Sequence, residues 1–117
     1  MRVSAIFPTL ALASMATAWT DYKWAVKCGQ KNPSVNTAIQ QFCSKGDIVV
    51  PSDYAKWGKS VNGWHVSITG NCNPPQWVPR EWCQKQLTKL CANGDAKGLG
   101  HQRYGNGGCQ GWHVDRH

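Results

Sequence analysis

Six cysteines in a chain of 117 residues restrict the folds that this sequence can adopt. An even number of cysteines in a small chain predicts a framework of disulfide bonds, which form in an oxidising compartment. Losing a native disulfide costs a small secreted domain about 2–5 kcal/mol, which approaches its whole net stability. We therefore expect three essential disulfides. Their members are Cys28, Cys43, Cys72, Cys83, Cys91 and Cys109.

Residues 1–18 have the pattern of a cleavable signal peptide. Arg2 supplies a positive start, residues 5–13 form an apolar stretch, and Ala16-Thr17-Ala18 is a small-residue cleavage signal. The apolar stretch is too short to span a bilayer, and no apolar run of about 18–20 residues follows it. The sequence thus predicts a secreted, extracellular protein in which residues 19–117 form a single disulfide-rich domain.

The first element expected after the leader is a strand over residues 22–28. Apolar and basic side chains alternate there with the period of two that marks a half-buried strand, and Lys23 and Lys27 lie on its polar side. A helix should follow, with Asn32 as its cap and Pro33 in its first turn. Gly46 would end it. Its apolar stripe consists of Val35, Ala38, Ile39, Phe42 and Cys43.

A hairpin is predicted around Asn62-Gly63, the dipeptide that favours a type I′ turn. The two strands would cover residues 54–61 and 64–69. Trp64, Val66 and Ile68 would then face the core, with His65, Ser67 and Thr69 on the other face. Residues 48–53 are too short a run to distinguish a strand from an extended loop.

A second helix should open near Pro79 and stop at Gly94. Cys83 and Cys91 would then lie about 12 Å apart along its axis, so they cannot bond to each other. Six cysteines allow fifteen sets of pairings, and the sequence does not decide among those that lack a Cys83–Cys91 bond. Residues 94–111 contain seven glycines and predict no regular element before a last short strand at 112–114.

The resulting order, β-α-β-β-α-β, predicts an α+β fold. It would be a two-layer sandwich in which two helices cover one face of an antiparallel sheet, and disulfides staple the layers.

The formal charge of +7 favours an anionic partner at a cell surface, such as a membrane lipid, a cell-wall polymer or a host receptor. The lysines are scattered along the chain, which counts against nucleic acid as the partner. We expect a monomer.

The sequence lacks the residues that several classes of enzyme require. The acidic side chains are few and dispersed, which disfavours paired-carboxylate glycoside hydrolysis, and no Gly-x-Ser-x-Gly elbow is present. A fully paired cysteine set leaves no thiol nucleophile. His113 and His117 are four residues apart, a spacing that brings two ligands together on a helix but not in a strand and tail, so neither a metal site nor a cofactor is expected.

One catalytic hypothesis concerns the open face of the sheet. His65 and His113 would point there, and Lys27 on the first strand would lie between their strands. Two histidines near a lysine could supply acid, base and phosphate stabilisation for RNA cleavage. A solvated polar face explains the same residues more simply, so a non-enzymatic role is the preferred interpretation.

The sequence also carries seven tryptophans, and three of them, Trp57, Trp77 and Trp82, fit no strand or helix stripe. These three could form a sugar-stacking or membrane-interface patch, although core filling is the simpler expectation. The side chains expected to be exposed and able to contact a partner define a possible binding surface. They are Lys23, Lys27, Trp57, Trp77, Arg103 and Tyr104.

A pattern of motifs spread over residues 24–114 resembles a known group of proteins. Trp64-His65-Val66 leads to Gly70-Asn71-Cys72, and Gly107-Gly108-Cys109 leads to Trp112-His113-Val114. These motifs, with Cys28 and Cys43, resemble the small secreted cysteine-rich proteins of filamentous fungi, especially the necrosis-inducing effector family and the killer-toxin-like sandwiches. The helix that carries Cys83 and Cys91 does not map onto the effector pattern.

The resemblance implies a compact α/β sandwich, secretion, and action on host plant cells or competing fungal cells without a cofactor. The expected function is that of a fungal effector or toxin-like protein that acts by binding. The alternatives are a secreted ribonuclease-like enzyme using His65 and His113, and a cell-wall glycan-binding module using exposed tryptophans.

Overall fold

A computed structural model describes residues 22–116. The predicted signal peptide lies outside these residues. In chain order the helices are α1 (22–31), α2 (Pro33–Cys43), α3 (Asp53–Trp57) and α4 (Arg80–Asn93). The strands are β1 (Ile48–Val50), β2 (Lys59–Val61), β3 (Trp64–Gly70), β4 (Gln76–Val78), β5 (Gly100–Tyr104) and β6 (Gln110–Arg116).

The fold is α+β and stapled by three disulfides, as the sequence predicts. Its main sheet is antiparallel with the strand order β2-β3-β6-β5, and β1 pairs with β4 in a separate two-stranded sheet. Helices α2 and α4 pack together on one face of the main sheet. Trp112, Phe42 and Ile39 are the largest fully buried side chains, and they lie in the core between these layers.

The predicted first strand is wrong, because residues 22–31 form the helix α1. Of the side chains assigned to its buried side, Cys28 is buried, whereas Tyr22 and Val26 are exposed. Cys28 bonds to Cys91 of α4. The helical spacing of Trp24, Cys28 and Lys31, which fits one helix face, therefore outweighs the period of two.

Helix α2 begins and packs as its sequence predicts. The side chain of Asn32 accepts a hydrogen bond of 3.2 Å from the backbone N–H of Val35, and Pro33 opens the first turn. The five residues of the predicted apolar stripe are all buried. The helix ends at Cys43, three residues before Gly46, and Cys43 bonds to Cys83 of α4.

Helix α4 stops after Asn93 with Gly94 as its C-cap, as predicted, and both of its cysteines bond to other helices. Its last carbonyls are satisfied by a side chain from α1. Lys31 Nζ donates to the carbonyl oxygens of Ala92 and Gly94, at 2.7 and 3.0 Å. A lysine at this end also complements the negative pole of the helix dipole.

The hairpin forms at Asn62-Gly63, where both residues have a positive φ, as a type I′ turn requires. Its first strand is shorter than predicted. Residues 53–57 are helical instead, because the Ser52 hydroxyl accepts a hydrogen bond of 3.1 Å from the backbone N–H of Ala55 and so caps α3.

The glycine-rich segment contains a strand that the sequence did not predict. Residues Gly100–Tyr104 form β5, which pairs along β6 from Gly100↔Val114 to Tyr104↔Gln110. Gly100 faces Leu90 of α4, where a Cβ would be 3.4 Å from the leucine Cδ1, so the absence of a side chain allows a close approach. The observed order of elements is therefore richer than β-α-β-β-α-β.

Candidate functional sites: a tryptophan groove and a histidine face

Two surfaces carry chemistry on this scaffold. The first is a groove of about 360 Å³ between β4, the start of α4 and the end of β5, which we name the tryptophan groove. Its principal lining residues are Trp77, Trp82, Gln86, Tyr104, Gln110 and Trp112. The second is the open face of the main sheet, which we name the histidine face. It carries Ser60, His65, Ser67, Thr69, His101, Arg103, His113 and Asp115.

The walls of the tryptophan groove are large apolar rings left open to solvent. Trp77 is 66% exposed and Trp82 is 48% exposed. Trp77 points outward because β4 alternates, with Val78 taking the buried position. Trp82 precedes the buried Cys83 on α4 and so lies outside the apolar stripe of that helix. Core filling, the simpler sequence expectation, is thus wrong for these two rings.

The floor of the groove is held by a chain of hydrogen bonds. Trp112 Nε1 donates to Gln110 Oε1 at 2.9 Å, and Gln110 Nε2 donates to Gln76 Oε1 at 2.9 Å. The Tyr104 ring meets the Trp112 ring edge to face, with centroids 5.2 Å apart. These contacts fix the orientation of Tyr104 before any ligand arrives.

Two polar groups of the groove are distinctive. Gln86 Oε1 is buried and has no hydrogen-bond partner among the described residues. Such an atom carries a desolvation cost that a ligand donor can remove after the terminal amide rotates. Burial also raises the pKa of the Tyr104 phenol, which keeps that hydroxyl a neutral hydrogen-bond donor.

A positive charge lies beside the groove. Lys85 Nζ is 4.9 Å from the ring centroid of Trp82, within the range of a cation–π contact. An anionic group on a ligand that stacks on Trp82 would therefore meet a cation nearby.

The residues of the binding surface expected from the sequence do not all lie together in the structure. Trp77 and Tyr104 come together in the tryptophan groove, but Trp57, which is 68% exposed on α3, does not line it. Arg103 precedes Tyr104 on β5 and therefore points to the opposite face of the sheet. Lys23 and Lys27 are exposed on α1.

The histidine face is built by the register of three strands. Ser67 of β3 lies opposite His113 of β6, and His113 lies opposite His101 of β5. The rings of His101 and His113 are 6.3 Å apart between centroids and inclined by 28°. Thr69 Oγ1 is 3.0 Å from His113 Nε2. Two imidazoles and a hydroxyl thus form one cluster.

The environment of His113 disfavours its charged form. Desolvation by burial lowers the pKa of His113, and the positive charges of His101 and Arg103 act in the same direction. The Asp115 carboxylate opposes them. The net effect is a lowered pKa, which keeps His113 neutral further into the acid range.

A cavity of about 470 Å³ adjoins this cluster through Thr69. It lies between α3 and the end of β3, and Asp53 and Lys56 line its α3 side. Thr69 therefore lines the cavity and also contacts the imidazole of His113.

The catalytic arrangement expected from the sequence is only partly present. His65 and His113 do share the open face, but β3 and β6 are direct neighbours with no strand between them. Lys27 belongs to α1 and is not on the sheet. His65 Nδ1 lies 2.7 Å from Ser60 Oγ. The residue that joins His113 is His101, which the sequence analysis missed, although His101 and Arg103 alternate as strand residues do.

Within residues 22–116 no three His, Cys, Asp or Glu side chains come together in a group that could hold a metal ion. None of the helices described for this stretch has the length and apolar character needed to cross a bilayer. No protein-family model, curated protein or solved structure matches the chain. Fold and surfaces together define a small three-disulfide α+β protein with an open aromatic groove.

Proposed function

We propose that this chain is a secreted effector or toxin-like protein that acts on other cells by binding a cell-wall polysaccharide in the tryptophan groove. The observation that carries the proposal is the convergence of Trp77, Trp82 and Tyr104 on one groove. Exposed rings of this size are costly in water unless a ligand or partner covers them. Sugar rings present apolar C–H faces that stack on indole, and their hydroxyl groups need polar partners beside the stack.

The polar groups of the groove fit the same ligand class. Gln86 Oε1 can accept from a sugar hydroxyl, and the neutral Tyr104 phenol can donate to one. An aliphatic lipid chain would leave Gln86 Oε1 as unsatisfied as before and would take the Tyr104 hydroxyl out of water, at a cost of about 1–3 kcal/mol for that hydroxyl. The lining therefore favours a carbohydrate over a membrane lipid.

The charge of the protein favours an acidic polysaccharide over a neutral one. Lys85 lies against Trp82, and the formal charge of the chain is +7. Carboxylates on a uronic acid polymer would gain from both, and the gain would fall as salt screens the charges.

The extracellular setting is part of the proposal. Three disulfides form and persist in an oxidising compartment, and the predicted signal peptide would deliver the chain there. The resemblance to necrosis-inducing effectors and killer toxins suggests the two targets, plant cells and competing fungi.

The cellular part of the proposal is tested by applying purified, oxidised protein to plant leaf tissue and to growing fungal hyphae. We expect cell death or growth arrest from the oxidised protein, and none from a reduced and alkylated sample. The double variant Trp77→Ala/Trp82→Ala should lose the effect, whereas Trp57→Ala should keep it because Trp57 lies outside the groove. Equal activity of all three oxidised proteins would contradict an action through the groove.

A further inference from the structure

The histidine face has a chemistry of its own that the tryptophan groove does not explain. Two imidazoles of different strands, a hydroxyl and a guanidinium lie together on an open sheet surface beside a cavity. A polar sheet face needs no such convergence to stay solvated, because scattered polar side chains would serve equally well.

We infer that this face is a phosphodiester site that cleaves single-stranded RNA, with His113 as general base, His101 as general acid and Arg103 as the phosphate-binding cation. This inference does not depend on the polysaccharide proposal, since the two surfaces lie on opposite faces of β5. It also replaces the pair His65 and His113, which the sequence suggested, with a pair that the strand register brings face to face.

The distances suit this division of labour. A general acid or base must come within about 2.6–3.2 Å of the oxygen that it serves. Ring centroids 6.3 Å apart place one phosphodiester group within reach of both imidazoles. One imidazole can then serve the attacking oxygen and the other the leaving oxygen.

Thr69 is a positioning residue in this arrangement. Its Oγ1 lies 3.0 Å from His113 Nε2, and with Nε2–H as the donor the lone pair is on Nδ1. In that tautomer Nδ1 can accept a proton, and the Thr69 contact orients the ring, as the orienting partner of a catalytic histidine does in other nucleophilic and acid–base sites. The threonine also lines the adjoining cavity, where a nucleotide base or sugar could lie.

Arg103 supplies a positive charge that is held in place. Its Nη1 donates to the Gly108 carbonyl oxygen at 3.0 Å, which anchors the guanidinium and leaves other N–H donors for a phosphate. The Asp115 carboxylate on β6 also acts on His113, His65 lies opposite Asp115 on the same face, and Asp53 and Lys56 line the α3 side of the adjoining cavity.

The reaction balances without a metal or a redox partner. The ribose 2′-oxygen attacks phosphorus and its proton passes to His113. The new 2′-O–P bond forms as the P–5′-O bond breaks, and protonated His101 gives its proton to the departing 5′-oxygen. The products are a 2′,3′-cyclic phosphate and a 5′-hydroxyl end, and proton exchange with water resets the two imidazoles.

The test uses oxidised full-length mature protein and a labelled single-stranded RNA oligonucleotide, with an all-deoxy oligonucleotide of the same sequence. We expect cleavage of the RNA alone, a cyclic phosphate end by mass spectrometry, and a bell-shaped pH–rate profile. His101→Ala should reduce the rate at least 100-fold, the scale of one general acid. Because His101 is exposed, this variant should keep its fold, which circular dichroism verifies.

Two further variants distinguish catalysis at this site from cleavage by a contaminating nuclease and from nonspecific electrostatic attraction of the RNA. Lys97→Gln removes an exposed positive charge away from the face and should leave the rate within about twofold, since surface charges there contribute little. Thr69→Val should lower kcat about tenfold and shift the pH profile with little change in KM, as a lost positioning contact does. Absence of RNA cleavage by the wild-type protein, equal cleavage of the deoxy oligonucleotide, or full activity of His101→Ala would each overturn the inference.

Discussion

Lys31 Nζ donates a hydrogen bond of 2.7 Å to the carbonyl oxygen of Ala92, which joins the end of α1 to the end of α4. The same ammonium group also reaches the carbonyl oxygens of Gly94, at 3.0 Å, and Cys91, at 3.5 Å. One side chain thus satisfies acceptors that a helix C-terminus leaves without partners. The nearby Cys28–Cys91 disulfide ties the same two helices together covalently.

Replacing Lys31 with methionine should therefore destabilise the protein while keeping most of the buried side-chain volume. We expect a loss of about 1–3 kcal/mol, the scale of hydrogen bonds that involve a charged donor. Urea unfolding of the oxidised protein measures it. Lys27→Met, an exposed position on the same helix, is the control and should change the free energy of unfolding by less than about 0.5 kcal/mol. Equal effects of the two variants would mean that the Lys31 contacts contribute nothing specific.

A second prediction compares two glycines with positive φ. Gly58, with φ of +67°, ends α3 so close to β3 that a Cβ there would clash with the Val66 carbonyl oxygen. Gly63, with φ of +83°, has open space around its Cβ position. Gly63→Ala should cost about 1–2 kcal/mol for the backbone conformation alone. Gly58→Ala should cost about 1–3 kcal/mol more, because a steric clash is added. Thermal unfolding of the two variants gives the order, and a reversed order would contradict the packing of α3 against β3.

A third prediction follows from the lowered pKa of His113. Between the folded pKa of His113 and about pH 6.5, the pKa of an unfolded histidine, the unfolded state binds more protons than the folded state. Stability should therefore be full above about pH 6.5, fall as the pH drops from there to the folded pKa, and lose nothing more to this group below it. One proton limits the slope to about 1.4 kcal/mol per pH unit. Unfolding titrations from pH 7.5 to 4.5 measure it, and His113→Gln should flatten the slope. An unchanged slope in the variant would assign the effect to other groups.

Local signals predicted those parts of the fold in which local and tertiary preferences agree. Asn32, Pro33 and an apolar stripe of helical period are sufficient to define α2, and Asn62-Gly63 is sufficient to define the hairpin turn. Both features depend on residues close in sequence.

The predictions are wrong where contacts between residues distant in sequence determine the structure. Residues 22–31 satisfy both a strand period and a helix period, and the contacts of Cys28 and Lys31 with α4 favour the helix. Strand β5 exists because β6 offers an unpaired edge, which no glycine count reveals. The same holds for the sites, since His101 and His113 meet only through that pairing, and Tyr104 joins Trp77 and Trp82 in the groove only through the tertiary fold.

The most direct test of the polysaccharide proposal is co-sedimentation of the oxidised protein with insoluble plant and fungal cell-wall fractions and with calcium-gelled polygalacturonate. We predict saturable binding that weakens with added salt. Trp77→Ala should reduce the affinity by about thirtyfold, since truncating a central aromatic contact costs about 2 kcal/mol. Trp57→Ala, which removes an equally exposed indole outside the groove, should bind as the wild type does. Binding that is absent from every fraction, or that Trp57→Ala and Trp77→Ala reduce equally, would contradict the tryptophan groove as the site of action.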